Sequence, residues 1–277
     1  MDDGRFLKAC QLQDDGKFKE AIDEFLTIAE DTEDPVDKAG VDKAGVYLNA
    51  ATTLKVLGEY EQGRSLLGVA RSLLASSHTL QLESDRDVEV LVLEMRLDFD
   101  EADFLSHEGK IEEALAKFDL LLKKYGQTMQ EAEFRATYEM TQARRAFILA
   151  DLGRCKEALP ILEEAESFKG RKAETRFYLG HCYLANDNYS KAMGRLLEAL
   201  RIGLYQRLEY RAHCELGIVY FTLKDYEQAK LEFEKCAETA DEEYMQQAQI
   251  WKWLENTSRV LGLKEEADRY SKLTMSS

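Results

Sequence analysis

A six-residue pattern recurs seven times along the chain, and this repetition constrains the fold more than any other feature. Each copy usually starts with Gly or Asp, has an aromatic or apolar residue two positions later, and ends on a small residue. The copies are GKFKEA (ending at Ala21), GEYEQG (Gly63), GKIEEA (Ala114), GRCKEA (Ala158), DNYSKA (Ala192), KDYEQA (Ala229) and GLKEEA (Ala267). Successive copies end 34 to 51 residues apart. A period of this length indicates a chain built from stacked copies of one supersecondary unit.

The residues around each copy predict two helices joined by a turn. Four residues after the small position comes a large apolar residue in six copies: Phe25, Leu67, Phe118, Leu162, Leu196 and Phe233. The i, i+4 spacing places the small and large side chains on one helical face. An apolar segment precedes most copies, and a glycine at position 16, 58, 109, 153 or 262 suits the turn because it can adopt a left-handed conformation.

Two glycines lie inside predicted helices. Gly180 and Gly217 are 37 residues apart and occupy the same place in neighbouring copies. Glycine within a helix costs about 1 kcal/mol relative to alanine, so a compensating contact is expected. We predict that the second helix of each pair folds back against these glycines and buries its large apolar side chain there.

This pattern resembles the tetratricopeptide repeat, a 34-residue helix-turn-helix. The segments LGHCY, LGIVY, AIDEF, ALAKF and AKLEF carry the resemblance, and WKWL (Trp251 to Leu254) keeps the leading tryptophan of the last copy. The resemblance implies an all-α fold, a right-handed superhelical solenoid of antiparallel helix pairs over residues 1–277. Its repeats would cover approximately 2–35, 44–77, 95–128, 139–172, 173–206, 210–243 and 248–277.

Three segments depart from a regular period. The tandem duplication VDKAGVDKAG at 36–45 is interpreted as a lengthened connection. Segments 78–94 and 129–138 are predicted to be helical and to lengthen the first helices that follow them.

The charge of the chain narrows the classes of partner. Its 53 acidic and 37 basic residues give a formal net charge of -16, which repels phosphate backbones, so no nucleic-acid partner is expected. No membrane association is expected either, since no apolar run reaches the length of a bilayer span. The five cysteines form no CxxC pair, and the N-terminus does not resemble a signal peptide. These features favour a cytoplasmic protein with reduced thiols.

Catalytic and metal-binding patterns are not found in the sequence. It has no Walker loop, GxSxG or HExxH motif, so the chain is expected to be no enzyme and to need no cofactor. Of the residues that could bind zinc, His181, Cys182, His213 and Cys214, the two histidines occupy different slots of their repeats. His181 would face the concave groove and His213 the partner helix, so no metal site is predicted.

The resemblance implies that first helices line a concave groove at slots 2, 5, 6, 9, 12 and 13 of each repeat. Aromatic and basic side chains at these slots would supply stacking surface and hydrogen-bond donors for a peptide. The candidate groove residues are Asn49, Arg144, Tyr178, His181, Arg211, Phe221, Lys252, Trp253, Asn256 and Arg259. Family members that clamp a carboxylate use a particular set of these slots, and in the first three repeats only Asn49 matches it.

Three functional hypotheses follow. The first is a non-catalytic interaction module, or scaffold, that binds an extended peptide or helix of a partner protein in the groove, through basic segments or a free carboxylate of the partner. The second is an assembly subunit that self-associates, as a homodimer through its terminal repeat, or joins a complex through end or convex surfaces. The third is a regulatory sensor that responds to a peptide or small ligand.

Overall fold

The chain is helical throughout the residues that the computed structural model describes, which are 3–32, 38–77, 84–132, 134–168 and 170–276. Those residues contain fifteen α-helices, a short 3-10 helix at Thr128–Gln130 and no strand. The helices are α1 (Asp3–Asp14), α2 (Phe18–Asp31), α3 (Lys38–Val56), α4 (Tyr60–Ser77), α5 (Ser84–His107), α6 (Ile111–Tyr125), α7 (Arg135–Asp151), α8 (Cys155–Ala165), α9 (Lys172–Ala185), α10 (Tyr189–Ile202), α11 (Gln206–Thr222), α12 (Tyr226–Thr239), α13 (Glu242–Gln247), α14 (Ile250–Val260) and α15 (Lys264–Ser276). The predicted all-α class is confirmed.

The chain divides into two compact halves, Met1–Thr141 and Gln142–Ser277, with the boundary inside α7. In the N-terminal half, α1 packs on α2, α3 on α4 and α5 on α6, and α3 also contacts α5. In the C-terminal half, α9 packs on α10, α11 on α12 and α14 on α15, while α9 also contacts α11. The first helices α3 and α5, and likewise α9 and α11, therefore lie side by side, whereas α14 packs on α12 of the preceding pair. The division of the whole chain into seven repeats of one domain stays a prediction.

The recurring small and large positions form the cores of the helix pairs, as the spacing predicts. The small residues Ala21, Ala114, Ala158, Ala192 and Ala229 are fully buried, and Ala267 is nearly so. The large residues four positions later are buried in all six copies that have one. Burial of each such side chain contributes roughly 1.5–3 kcal/mol, which makes these positions the main source of stability in each pair.

The turns between paired helices share a left-handed residue. Gly16, Gly58, Gly109, Gly153 and Gly262 all have φ between 72° and 78°, which confirms their predicted role. Two pairs lack a glycine at this point, and Asp187 (φ 57°) and Lys224 (φ 65°) adopt the same conformation there. The turn geometry is thus kept even where the sequence signal for it is missing.

Two expectations about the irregular segments need correction. The VDKAG duplication is not a connection from Lys38 onward, because α3 begins there and includes residues 38–45; alanine and lysine favour a helix enough to offset the two glycines. Residues 36–37 lie outside the described part. Segment 78–94 lengthens α5 from Ser84 onward, as predicted, and 78–83 are not described. In segment 129–138, however, only residues from Arg135 belong to α7.

Candidate functional site

Arg211 of α11 is fixed against an aromatic surface by a carboxylate. Its Nη2 donates a hydrogen bond to Oδ1 of Asp151 at 3.0 Å. The guanidinium carbon lies 5.0 Å from the ring centroid of Phe177 and 5.9 Å from that of Tyr178. Burial disfavours the charge, but the nearby Asp151 outweighs it and raises the pKa of Arg211 above its usual value. The cation is therefore permanent and held in one place.

Tyr178 of α9 contacts Asp151, the carboxylate that holds Arg211. Its ring stacks on Phe147 of α7 with centroids 4.5 Å apart and planes at 14°, and its Oη donates to Oδ2 of Asp151 at 3.0 Å. Burial, and then the neighbouring Asp151, raises the pKa of the phenol, so the hydroxyl stays a donor. Tyr178 is itself buried, and it positions the carboxylate that holds Arg211 rather than offering much contact surface.

His181 of α9 is oriented by a buried carboxylate of α11. Its Nδ1 lies 2.8 Å from Oε1 of Glu215. Burial opposes protonation of the ring, but the charge of Glu215 and a hydrogen bond with Cys155 raise the pKa of His181 to about 10. His181 is thus an imidazolium at neutral pH, and its Nδ1–H donates to Glu215.

The second histidine belongs to a different contact. Nδ1 of His213 lies 2.6 Å from Oε2 of Glu232 on the partner helix α12, so the two imidazoles have separate carboxylate partners, as the slot positions predict. In the described part of the chain, no three His, Cys, Asp or Glu residues are grouped so that they could hold a metal ion.

Aromatic rings of α11, α12 and α14 form a second contact surface in the same half. Trp253 stacks on the buried Phe233 with centroids 5.5 Å apart and planes at 18°. Phe221 meets Trp253 edge-on at 5.3 Å and also meets Tyr226 at 5.3 Å. Phe221 and Trp253 are only half-buried, so they present rigid apolar surface that a partner can cover.

The other candidate groove residues lie apart from the Arg211 and Trp253 contacts. Lys252, Asn256 and Arg259 are exposed on α14, and Nη2 of Arg259 pairs with Oε1 of Glu255 at 2.6 Å on the same helix. Asn49 belongs to the N-terminal half, where its Oδ1 accepts a hydrogen bond from Nη2 of Arg96 at 2.7 Å. Asn49 and Arg96 occupy slots 6 and 2 of two successive predicted repeats.

Tyr205 is a candidate that the helix slots could not reveal, because it lies in the loop between α10 and α11. Its side chain is 55% exposed. Burial raises the pKa of Tyr205, the charges of Arg144, Arg211 and Arg207 act in the opposite direction, and the charge of Glu174 adds to the increase. The phenol is therefore influenced by three guanidinium groups and one carboxylate. Asp151 was also missed, although it occupies slot 13 of its repeat, a slot expected to face the groove.

Comparisons with known proteins agree with this architecture. The sequence model of the tetratricopeptide repeat family matches residues 210–248, which include most of α11 and all of α12 and α13. No curated protein matches the chain in sequence.

Solved structures show the same fold at low sequence identity. A structure titled for the functional characterization of Pseudomonas aeruginosa pilF aligns with a TM-score of 0.59 at 15% identity, covering 83% of this chain and 90% of that one. BtubC (BKLC) from P. vanneervenii aligns with a TM-score of 0.54 at 18% identity, covering 81% and 88%. A tetratricopeptide repeat protein from Parabacteroides merdae aligns with a TM-score of 0.54 at 13% identity, covering 99% and 91%.

The chain therefore has the fold of tetratricopeptide-repeat proteins, and one repeat of that family is recognised in its sequence at residues 210–248. None of the helices in the described ranges is both long enough and apolar enough to cross a membrane.

Proposed function

We propose that the chain is a non-catalytic interaction module that binds an extended segment of a partner protein on the face formed by α9, α11 and α14. The observation that carries this proposal is the geometry of Arg211. The guanidinium is held by Asp151 and lies over two aromatic rings before any partner arrives. A cation that is already ordered binds a partner at a smaller entropic cost than a flexible one.

The chemistry of this face favours an extended partner segment that carries a carboxylate and, about 15 Å further along, an apolar side chain, because Arg211 and Phe221 lie at different levels of α11. A carboxylate approaching Tyr205 would be attracted by Arg144, Arg207 and Arg211 and repelled by Glu174, and arginine suits carboxylates because its donors form a planar fork. The apolar side chain would pack on Phe221 and Trp253. The net charge of -16 opposes acidic partners elsewhere on the surface, so this basic region also selects where such a segment binds.

The test uses peptides selected from a random display library against the folded chain. We expect Arg211→Ala and Trp253→Ala each to lower the affinity for the selected peptides at least about tenfold. An ordered arginine or tryptophan at the centre of an interface typically contributes about 2 kcal/mol or more to binding. Arg201→Ala, on the exposed surface of α10, is the matched control and should leave affinity unchanged. Equal affinity for all three variants would remove the assignment.

A second candidate function is assembly through the last helix pair. Val260 and Leu263, at the turn, and Met275, near the far end of α15, are exposed by 54%, 38% and 87%, so the pair carries apolar side chains that a second copy could cover. Light scattering over a range of concentrations separates the two functions. A dimer that dissociates on dilution and is lost in Val260→Asp favours assembly, whereas a monomer at all concentrations favours the peptide-binding face.

We also propose a reducing, cytoplasmic setting. All five cysteines lie within the described residues and are free thiols. Four of the five are buried, which is typical of cysteines that serve as small apolar residues in such compartments.

A further inference from the structure

Cationic side chains from two helices surround a cavity of about 570 Å³ in the N-terminal half. The cavity opens beside α5, which packs on both α4 and α6. Its cations are Arg71 of α4 and, on α6, Lys117, Lys123 and Lys124. We refer to this space as the Arg71 cavity.

Two carboxylates of α5 hold three of these cations in place. Nη2 of Arg71 lies 2.8 Å from Oδ1 of Asp98 and 2.7 Å from Oε1 of Glu101. Nζ of Lys117 lies 3.2 Å from Oε2 of Glu101, and Nζ of Lys124 lies 3.5 Å from Oδ2 of Asp98. Each carboxylate therefore contacts two cations, so the positive charge around it is balanced only in part.

The cations lie further out than the carboxylates that hold them. The side chains of Asp98 and Glu101 are 22% and 26% exposed, whereas those of Arg71, Lys117 and Lys124 are 46%, 47% and 52% exposed. A lysine ammonium group has three donors, so a contact with one carboxylate leaves donors that a ligand can reach. The cavity thus presents ordered cations at its mouth, which lowers the entropic cost of binding an anion.

Lys123 adds a cation that no carboxylate balances. Within the described ranges it forms neither an ion pair nor a side-chain hydrogen bond. With Lys123 included, four cations face two carboxylates in the lining, which leaves two positive charges in excess. Glu94, one turn before Asp98 on α5, accepts a hydrogen bond from Oη of Tyr125 at 3.4 Å and does not line the cavity. In a chain with a formal net charge of -16, this excess marks a local site for an anion.

The cavity also has an apolar wall. Leu120, which is 57% exposed, and the buried Leu121 line it beside the lysines of α6. The volume falls within the range of small-molecule sites, about 300–1,000 Å³. A ligand that combines an anionic group with an apolar part would therefore contact both kinds of surface.

From this arrangement we propose that the Arg71 cavity binds the phosphoryl group of a phosphate monoester, whose organic part packs on Leu120. Such a group carries a charge of about -1.5 to -2 at neutral pH, which matches the two excess positive charges. Lysine binds phosphate as a point charge. A carboxylate fits less well, because it brings one charge and because Arg71 already directs donors at Asp98 and Glu101. The proposal does not depend on the peptide-binding face, which lies in the C-terminal half.

The first experiment compares two ligands of the same shape and different charge. The isotopically labelled chain is titrated at low ionic strength and about pH 7.5, where a phosphate monoester is mainly a dianion, and its amide resonances are followed. We expect phenyl phosphate to shift resonances of α4, α5 and α6 around the cavity and to bind about tenfold more tightly than phenyl sulfate, a monoanion. Equal affinity for the two ligands, or shifts confined to other helices, would overturn the proposal.

Variants on exposed positions test the named side chains without disturbing the core. Lys117→Met and Lys123→Met should each lower the affinity for phenyl phosphate about fivefold, as expected when a unit charge is removed at about 4 Å in a hydrated setting. Lys19→Met is the matched control, because Lys19 is an exposed lysine of α2 in the same half and its loss changes the net charge equally. Lys19→Met should leave the affinity unchanged, and a loss equal to that of Lys117→Met would contradict a local site.

A further variant tests the apolar wall. Leu120→Ser should weaken the binding of phenyl phosphate and leave that of inorganic phosphate unchanged, because inorganic phosphate has no organic part to pack on the leucine. A Leu120→Ser chain that binds phenyl phosphate as wild type does would remove Leu120 from the site.

Two sources supply a phosphoryl group of this kind: small phosphorylated molecules and phosphorylated side chains of a partner protein. A blocked tripeptide with a central phosphoserine is therefore titrated beside phenyl phosphate. Tighter binding of the tripeptide supports the site with a phosphorylated partner as its ligand, and tighter binding of phenyl phosphate supports it with a small molecule. Binding of neither ligand at the Arg71 cavity would overturn the proposal.

Discussion

A Cβ atom placed on Gly217 of α11 would lie 2.5 Å from Cδ1 of Phe233 on α12. Phe233 is fully buried, so its ring cannot move aside. The same relationship joins Gly180 to Leu196, at 2.7 Å from the leucine Cγ. Gly180 and Gly217 are therefore explained as the sequence predicts: each allows the second helix of its pair to approach and to bury a large side chain.

Gly217→Ala should destabilise the chain even though alanine favours helices. Forcing a methyl group against Phe233 costs about 1–3 kcal/mol, and the gain in helix propensity returns only about 1 kcal/mol. Urea unfolding measures the difference. Gly194→Ala is the control, because a Cβ at that exposed position of α10 meets nothing within 4 Å; it should raise stability by up to about 1 kcal/mol. A Gly217→Ala chain as stable as wild type would refute the packing argument.

Lys55 forms ion pairs with two buried carboxylates in the N-terminal half. Its Nζ lies 2.6 Å from Oδ2 of Asp103 and 3.5 Å from Oδ1 of Asp100. Burial raises the pKa of Asp100 against the influence of Lys55. We expect Lys55→Met to cost about 3–5 kcal/mol, since it leaves buried charge without its cation.

A surface pair provides the comparison for Lys55. Nζ of the exposed Lys117 lies 3.2 Å from Oε2 of Glu101, and Lys117→Met should cost less than about 1 kcal/mol. If Lys55→Met and Lys117→Met have the same denaturant midpoint, burial does not strengthen the Lys55 contact.

Glu232 should make the stability of the C-terminal half depend on pH, with a loss of stability in acid. Burial opposes its ionisation, but hydrogen bonds from His213 and Lys235 outweigh burial and lower the pKa of Glu232. The unfolded chain therefore binds this proton more tightly than the folded chain, so the contribution is present above about pH 4.5 and is lost as the pH falls. In Glu232→Gln the deficit in stability relative to wild type should be largest near pH 7, roughly, and should shrink toward about pH 3. Thermal unfolding across this range measures it, and a deficit independent of pH would count against the charged pair.

Tyr178→Phe should remove one hydrogen bond and keep the stacked ring. Because Asp151 loses the donor at 3.0 Å within a partly buried contact, we expect a loss of about 0.5–1.5 kcal/mol. Tyr189→Phe removes a surface hydroxyl that bonds to Asp187 and should have no measurable effect. If both variants unfold at the wild-type urea concentration, Tyr178 does not position the Asp151 carboxylate.

Much of the architecture could be predicted from the sequence because it depends on local rules. The small and large positions, the turn glycines and the close approach at Gly217 all follow from helix periodicity and from backbone freedom. Lys224 shows the limit of this reasoning, since its left-handed conformation is imposed by the paired helices and not by residue preference, whereas aspartate, as at Asp187, adopts that conformation more readily.

The site was less predictable because it depends on how neighbouring repeats are placed against each other. Aromatic and basic residues at first-helix slots were identified, but the role of Tyr178 as a buried support was not. Tyr205 lies in a loop, where helix slots give no information.

The most direct test of the account is to locate a bound partner segment on the surface. A display-selected peptide carrying a benzophenone is photo-crosslinked to the chain, and the attachment points are mapped by mass spectrometry. The proposed function predicts crosslinks on α9, α11 and α14 around Arg211 and Trp253, which are lost in Arg211→Ala. Crosslinks confined to α10, α12 and α15, unaffected by that substitution, would contradict it.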